Sequence, residues 1–343
     1  MSAAAPLDRP TMGDVAERAG VSKQTVSRFF TGRGYVGDDT RARIAEAIDD
    51  LGYRRNQTAS NLRLSRTDTI GVLALGGLVY GSAELLTGLS RAARDVEFTL
   101  VITQLDLDLE AVGWEPEALR AIDRMLSSQV DGIVLSTPVQ GEERLLEVIS
   151  PLPTITVSER PHVFATSVGT DSRAAGYLAT RHLLDLGHER VVHVAGPRTR
   201  NEARGRAQGY RDAMAERGLP ARVVEGARDW GAGSGQWAAV QLRASDFTAV
   251  VTANDEIALG FLSEMRARGL VAPRDFSIVG VDDMPIAAHF SPALTTMRMD
   301  FRSMGEEIFR MLHAQITRGE QPSHRTFPPT LIERASTAPP GAA

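Results

Sequence analysis

Five polar side chains share one face of a short helical pattern at residues 22–28, and their types suit contact with nucleic acid. They are Ser22, Lys23, Gln24, Ser27 and Arg28. Lysine can donate to the O6 and N7 atoms of guanine, glutamine can form paired hydrogen bonds with adenine, and serine and arginine can reach phosphate oxygens. Residue types and spacing together predict a surface that contacts base edges and the DNA backbone.

Two short helices joined by a tight turn are expected to position this surface. Thr11 and Ser22 are placed to cap the starts of the two helices, and Gly20 ends the first. The apolar residues expected to face inward are Val15, Ala16, Ala19, Val21, Val26 and Phe30. A pair of helices packed in this way is a helix-turn-helix, whose second helix enters the major groove.

A second set of side chains lies beyond the apolar strands of the later chain. Arg206 is early in the helix after RVVHVAGP, Asn254 ends TAVVTAN, Asp282 follows FSIVGV, and Trp230 is in the loop ARDWGAGSG. A guanidinium can hold two neighbouring hydroxyls, an amide both donates and accepts, and a carboxylate can accept two hydroxyl protons. An indole ring can cover the C–H face of a sugar. These residue types predict a site for a small polyhydroxylated ligand.

Each of these four residues also has a structural alternative. Asn254 can cap the helix that starts at Asp255, Trp230 can belong to the core, and Arg206 and Asp282 can pair with each other. Asp282 and Asp283 are adjacent and point in different directions, which does not support general acid–base catalysis.

Composition limits the class of protein. A length of 343 residues predicts two or three domains, and 43% hydrophobic with 24% charged residues is typical of a soluble globular protein. The absence of cysteine excludes disulfides, thiolate metal sites and thiol nucleophiles. No secretory signal or membrane-spanning run is found, so a cytoplasmic location without membrane contact is expected.

Charge is divided unevenly along the chain. The net charge is −5, yet residues 1–66 carry 11 Lys and Arg against 8 Asp and Glu, and the remainder carries 27 against 35. A basic head in front of an acidic body is consistent with DNA binding by the head.

From Ile70 onwards apolar strands alternate with amphipathic helices. The strands are IGVLAL, FTLVIT, GIVLS, PTITV, RVVHVAG, TAVVTAN and FSIVGVDD, and helices lie between them, for example near 83–95, 116–128, 172–186, 203–217 and 255–268. Such apolar runs predict strands buried on both faces of a parallel sheet. Six or more units fit two doubly wound α/β subdomains, in which ligands bind at the carboxyl ends of the strands.

The head contains the sequence D-V-A-x-x-A-G-V-S-x-Q-T-V-S-R. This pattern closely resembles the head of the LacI family of transcriptional regulators. The match continues through Thr40-Arg41, Ile44 and Gly52-Tyr53 and covers nearly the whole chain, to about Thr337. The resemblance implies a helix-turn-helix head followed by a periplasmic-binding-protein-like core. The implied segments are a disordered arm (1–10), the head (11–55), a hinge helix or linker (56–67), an N-subdomain (about 68–162 and 297–324) and a C-subdomain (about 163–296 and 325–337).

The resemblance also implies functional residues. In the family, paired hinges enter the minor groove and a leucine from each wedges open a central base step, and Leu62 occupies that position. The implied DNA-binding residues are Thr11, Ser22, Lys23, Gln24, Ser27, Arg28, Thr31, Asn56, Ala59 and Leu62. The ligand-binding residues that the resemblance implies are Arg206, Trp230, Asn254 and Asp282. Ser136 and Ser158, at the ends of strands in the other lobe, Tyr80, in the first strand–helix loop, and Phe301 complete the predicted ligand-binding set. Ser158 departs from the acidic residue of sugar-binding members, although Glu159 is adjacent, and Met299 replaces a polar residue.

The sequence therefore predicts a repressor that binds a near-palindromic operator as a homodimer and is released by a glycoside or monosaccharide. Two alternatives are a repressor of the same family with a purine or nucleoside corepressor, and a cytosolic solute-binding module that does not bind DNA. No enzymatic activity, cofactor or metal is expected, because no nucleophile motif, phosphate loop or metal-ligand cluster is found. After the last strand no leucine heptads follow, which predicts a dimer rather than a tetramer.

Overall fold

A computed structural model describes residues 10–32, 34–54, 66–107, 113–137 and 143–341. The chain divides into two compact units, residues 1–67 and residues 68–343. Residues 1–9 of the predicted arm (1–10) and the hinge residues Asn56, Ala59 and Leu62 lie outside the described residues.

Three helices lie in the described part of the first unit and surround a small apolar core. They are α1 (Met12–Arg18), α2 (Lys23–Thr31) and α3 (Asp38–Leu51). Val15, Val26 and Ile44 are fully buried between them, because each stands on the inner face of its helix. The predicted helix-turn-helix is confirmed, and α3 closes its core.

The second unit contains two lobes, each built on a six-stranded sheet. In the first lobe the sheet order is β11-β5-β4-β3-β1-β2, and in the second it is β12-β10-β9-β8-β6-β7. The strands are β1 (Thr69–Leu75), β2 (Thr99–Leu105), β3 (Gly132–Ser136), β4 (Thr154–Val157), β5 (Thr166–Thr170), β6 (Val191–Val194), β7 (Arg222–Val224), β8 (Ala249–Thr252), β9 (Ser277–Asp282), β10 (Thr295–Arg298), β11 (Arg325–Phe327) and β12 (Thr330–Ile332). Neighbouring strands are parallel, except that β10 and β12 pair antiparallel.

Helices cover both sheets. They are α4 (Tyr80–Asp95), α5 (Glu115–Ser127), α6 (Glu143–Ile149), α7 (Ser172–Asp185), α8 (Asn201–Glu216), α9 (Ala232–Val240), α10 (Asp255–Ala267) and α11 (Phe301–Arg318). The predicted class, a helical head with two doubly wound α/β subdomains, is confirmed. Among the predicted strands, FTLVIT is an exception to burial on both faces: β2 is the edge strand, and its Val101 and Ile102 are exposed.

The lobe boundaries differ from the predicted ones. β5 pairs with β4 in the first sheet, so residues 166–170, assigned to the C-subdomain, belong to the first lobe. β11 likewise pairs with β5, and β10 extends the second sheet to Arg298. The chain crosses between the lobes after β5, after β10 and after β11. The short polar sequence TSVGT gives no apolar run, and only pairing with its neighbours identifies it as a strand.

Reciprocal glycines let pairs of helices approach closely. A Cβ on Gly235 of α9 would lie 1.9 Å from the carbonyl oxygen of Ile257, and a Cβ on Gly260 of α10 would lie 1.7 Å from that of Ala232. In the first lobe, Gly88 of α4 and Gly305 of α11 face each other's main chain in the same way. Any side chain at these positions would push the helices apart.

Gly235→Ala is therefore expected to lower the free energy of unfolding by about 1–3 kcal/mol, because the new methyl group overlaps the main chain of α10. Gly233→Ala, in the same helix, is the matched control, since nothing lies within 4 Å of its Cβ position. That control is expected to be neutral or stabilising by up to about 1 kcal/mol. Urea unfolding of both variants measures the difference, and equal effects would contradict the close-approach role.

Candidate functional site

The outward face of α2 is accessible in the head. Ser22 caps the helix by accepting from the Thr25 N–H at 3.1 Å, which fixes the orientation of its first turn. Lys23, Gln24 and Arg28 are exposed, as predicted. Their side chains therefore project away from the core of the head, on the surface that a helix-turn-helix presents to the major groove.

Other predicted DNA contacts have local roles as well. Thr11 forms a capping box with Asp14: its hydroxyl accepts from the Gly13 and Asp14 N–H groups, and its own N–H donates to the Asp14 carboxylate at 2.7 Å. Ser27 is half-buried, and Thr31 is the last residue of α2. Phosphate contact by these residues stays a prediction.

A cavity of about 720 Å³ lies between the two lobes of the second unit. All eight predicted ligand-binding residues line it: Tyr80, Ser136, Ser158, Arg206, Trp230, Asn254, Asp282 and Phe301. The structure brings them together because parallel strands of both sheets direct their carboxyl ends toward the cleft.

Arg206 and Asp282 form a buried ion pair in the second lobe. The guanidinium of Arg206 donates to an Asp282 carboxylate oxygen at 3.1 Å and to the Ala253 carbonyl oxygen. The two side chains are only 4% and 9% exposed. The predicted alternative, in which these residues pair with each other, is confirmed, and the pair still lines the cavity.

The backbone at Asp282 turns sharply to aim its side chain. Asp282 and Asp283 have φ values of 114° and 53°, in a region that side chains rarely occupy and that often marks functional sites. Consequently the two carboxylates diverge: Asp283 binds Arg298 at 2.7 Å and also Arg334, whereas Asp282 binds Arg206. Burial raises the pKa of Asp282 to about 6, against the opposing effect of Arg206.

Trp230 and Asn254 are fixed beside this pair. The Arg206 guanidinium lies 5.3 Å from the centre of the Trp230 ring, a cation–π distance, and the ring also packs against the core of the second lobe. The Asn254 amide oxygen caps α10 by accepting from the Ile257 N–H at 2.9 Å, and its amide nitrogen donates to the Trp230 carbonyl at 3.1 Å. Capping by Asn254 is thus confirmed, and its ligand contact stays a prediction.

The first lobe supplies an aromatic and hydroxylated wall. The rings of Tyr80 and Phe301 meet edge to face with centres 6.3 Å apart, and burial raises the pKa of Tyr80 to about 12. Ser158 is engaged locally, since its hydroxyl accepts from the Arg160 N–H at 3.1 Å and lies 3.1 Å from the His162 ring nitrogen. This wall combines apolar surface with hydroxyl groups, as sugar sites do.

Thr137 and Glu202 are among the residues that line the cavity but were not predicted from the sequence. Thr137 follows Ser136 at the end of β3, and Glu202 precedes Arg206 by four residues, the spacing of one helix face. Both signals are visible in the sequence. Within the part of the chain that the structure describes, no group of three or more metal-ligating side chains is found, and no helix is long and apolar enough to span a membrane.

Asp255 is a buried acid behind the cleft, and it makes the stability pH-dependent. Burial, together with the charge of Asp282, raises its pKa to about 8, while its oxygens accept from Thr296 at 2.6 Å and the Met284 N–H at 2.8 Å. The folded protein therefore keeps a proton that the unfolded chain loses above about pH 4. This carboxyl's contribution to stability decreases as the pH rises from about 4 to 8.

Asp255→Asn is expected to reduce the loss of unfolding free energy between pH 5 and pH 8, because asparagine does not titrate. Urea unfolding at three pH values in this range measures the slope for each protein. Asp275→Asn is the control, since the pKa of exposed Asp275 is lowered by Arg274 and it titrates below this range. Parallel pH profiles for wild type and Asp255→Asn would contradict the assignment.

Comparison with known proteins agrees with this architecture. Residues 11–56 match the model for bacterial regulatory proteins of the lacI family, and residues 180–337 match a periplasmic binding protein-like domain. The chain is 30% identical over 339 residues to the HTH-type transcriptional regulator AscG of Escherichia coli K12, covering 96% of this chain and 99% of that protein. It is 31% identical over 340 residues to the transcriptional repressor PurR of Erwinia tasmaniensis, covering 96% and 97%.

Comparison with solved structures identifies proteins of the same architecture. The lac repressor dimer bound to operator and the anti-inducer ONPF is 26% identical, with a TM-score of 0.86 over 96% of this chain and 100% of that one. The regulator CelR in complex with cellobiose is 29% identical, with a TM-score of 0.67 over 96% and 100%. With its helix-turn-helix head and two-lobed core, the chain belongs to the lacI family of bacterial regulatory proteins and is a ligand-responsive transcriptional regulator.

Proposed function

We propose that the protein is a dimeric repressor that leaves its operator when a sugar binds in the cleft between its lobes, without catalysing a reaction or using a cofactor. The observation that carries this proposal is the buried Arg206–Asp282 pair beside Trp230, at the carboxyl ends of the strands that line a cavity of about 720 Å³.

The chemistry of this group fits a polyhydroxylated ligand. A guanidinium and a carboxylate side by side offer donors and acceptors to neighbouring hydroxyls, and an indole ring offers an apolar surface for C–H groups. The cavity lies within the size range of small-molecule sites. Support also comes from a related structure, since the CelR regulator is described in complex with cellobiose.

The head supports binding to operator DNA. Its α2 presents Lys23, Gln24 and Arg28 outward, and two such heads in a dimer would contact adjacent half-sites. The lac repressor, whose fold this chain shares, is described as a dimer bound to operator. For release, the sugar must prefer the state with low DNA affinity, and near-complete switching requires a preference of about 10⁴-fold.

A purine corepressor is the second candidate. It is favoured by relatives named as the repressor PurR, at 30–31% identity over nearly the whole chain. In this alternative the Trp230 ring stacks on a base, and the ligand prefers the state with high DNA affinity. The residue types that line the cleft suit hydrogen bonding to either class of ligand, so the sign of the DNA response is the observation that distinguishes them.

Thermal stabilisation of the purified protein by a panel of sugars and purines tests the proposal, because a ligand that binds only the folded state raises the melting temperature. A gel-shift assay on operator DNA then shows whether the ligand weakens or strengthens DNA binding. Stabilisation by a sugar that also releases DNA is the expected result. Stabilisation only by purines that strengthen DNA binding would replace induction with corepression.

A further inference from the structure

Four strand ends of each sheet line the cleft in a matching order. In the first lobe the order is β4, β3, β1 and β2, and in the second it is β9, β8, β6 and β7. One contact across the cleft shows which strands face each other. The Arg200 guanidinium, in the loop after β6, lies 3.0 Å from the position of a Cβ on Gly76, which directly follows β1. The end of β1 therefore faces the end of β6.

A second contact across the cleft fixes the direction of the two walls. A carboxylate oxygen of Glu159, which follows β4, lies 3.4 Å from the position of a Cβ on Gly205 in α8. The next residue of α8, Arg206, binds Asp282 at the end of β9. Since β4 faces β9 and β1 faces β6, the edge strands β2 and β7 face each other at the other end of the cleft.

The cavity extends along this whole row of strand ends. Its lining includes Asp282 at the end of β9, Arg228 in the loop after β7, and Asp106 and Leu107 in the loop after β2. Neighbouring strands lie about 4.8 Å apart, so the three spacings from β9 to β7 make the cavity about 14 Å long. A pyranose ring is about one strand spacing across. One hexose therefore fills only part of this length, and two linked rings fit along it.

The side chains of the second-lobe wall follow the strand order. Asp282 ends β9, and Asn254 follows β8. The Trp230 ring covers the end of β6, because a Cβ on Gly196 would lie 2.7 Å from it. Arg228 lies beyond the ring, in the loop after β7. Most of the predicted ligand-binding residues in this lobe thus occupy one half of the cavity, and the half near the edge strands has separate polar groups.

The polar groups near the edge strands are available to a ligand. The Asp106 carboxylate and the Arg228 guanidinium form no ion pair or hydrogen bond with any of the described residues. Arg198, which also lines the cavity, is paired with Glu225 at 3.6 Å. A carboxylate accepts and a guanidinium donates, so this end of the cavity suits hydroxyl groups. Its opposite charges give no preference for an anionic or a cationic ligand.

We propose that the effector is a disaccharide, with one ring at an inner subsite formed by Arg206, Asn254 and Asp282 and the second ring at an outer subsite formed by Asp106 and Arg228. Trp230 lies between the two subsites. This inference rests on the proposed function and specifies the class of sugar. A second sugar ring is favoured over an aromatic aglycone, because an apolar ring would desolvate the charged groups of the outer subsite without hydrogen-bonding to them.

The test compares disaccharides with their own fragments by calorimetric titration of the full-length protein. The panel contains glucose, galactose, their methyl and nitrophenyl glycosides, and the disaccharides cellobiose, maltose, trehalose, lactose and melibiose. At least one disaccharide is expected to bind about 10-fold or more tightly than the methyl glycosides of its units, because its second ring gains hydrogen bonds to charged groups.

Two outcomes would overturn the inference and leave sugar induction standing. They are equal affinities for every disaccharide and the matching methyl glycoside, and nitrophenyl glycosides that bind as tightly as the best disaccharide. No binding by any member of the panel would overturn both the inference and the proposed sugar effector.

Variants of the outer subsite separate the two rings. Arg228→Ala and Asp106→Ala are each expected to lower the affinity for the disaccharide about 10-fold and to leave the affinity for the methyl glycoside nearly unchanged. Both side chains are exposed, so folding should be unaffected. Arg190→Ala, at an exposed position outside the cavity, is the matched control and is expected to behave as wild type. Equal losses of affinity for both ligands would contradict a separate outer subsite.

Discussion

Arg206→Met is expected to abolish the response of DNA binding to the effector. The substitution removes the guanidinium donors of Arg206 from the cleft and leaves the Asp282 carboxylate buried without its partner, so the free energy of unfolding should fall by about 3–5 kcal/mol. DNA binding without effector should survive at temperatures where the variant is folded, since the head is a separate compact unit. Gel shifts with and without ligand, together with urea unfolding, measure the two effects.

A second variant separates ligand binding from folding. Arg206→Met combined with Asp282→Asn removes the uncompensated charge and is expected to recover much of the lost stability, yet not the effector response. A stable double variant that still released DNA normally with ligand would show that the pair only holds the lobe together.

Gln24→Ala is expected to weaken specific operator binding by about 2–6 kcal/mol per dimer. Each bidentate contact with a base contributes about 1–3 kcal/mol of discrimination, and a dimer makes the contact in both half-sites. Nonspecific binding depends on phosphate contacts and should change little. Titration of operator and of scrambled DNA at one fixed salt concentration measures both affinities.

The control for this variant is Glu46→Ala, on an exposed position of α3 outside the predicted contact set. It is expected to leave the ratio of specific to nonspecific affinity unchanged. If Gln24→Ala weakened binding to operator and scrambled DNA equally, Gln24 would be a backbone contact rather than a base contact.

Local signals explain which parts of the fold were predictable. The capping residues Thr11 and Ser22 and the buried run of β1 each follow from neighbouring residues, and the structure agrees with all of them. β5 and α11 were not identified, because a short polar strand and a helix of the distant C-terminal region acquire their partners only through tertiary packing. The pairing of β5 with β4 and of α11 with α4 depends on tertiary contacts that the local sequence does not show.

The candidate site was likewise predictable only where neighbouring residues in the sequence carry the signal. Arg206 and Asp282 were found because polar residues after apolar strands mark the open edge of a parallel sheet. Glu202 was not predicted, because the sequence does not show that the first turn of α8 faces the cavity. Asp255 was considered only as the start of a helix, whereas its protonation follows from three-dimensional burial beside another acid.

The pairing of α4 with α11 has a consequence for how the protein is made. α4 ends at Asp95, but its glycine-matched partner α11 begins at Phe301, and the strand β11 that completes the same sheet comes later still. A ribosome must therefore synthesise all of residues 96–300 before the first lobe can close. The helices and most strands of the second lobe come from one continuous stretch of chain, so this lobe can fold during translation. The first lobe remains incompletely folded over the same period and exposes apolar surface. Chaperone dependence during synthesis should accordingly be concentrated on the first lobe.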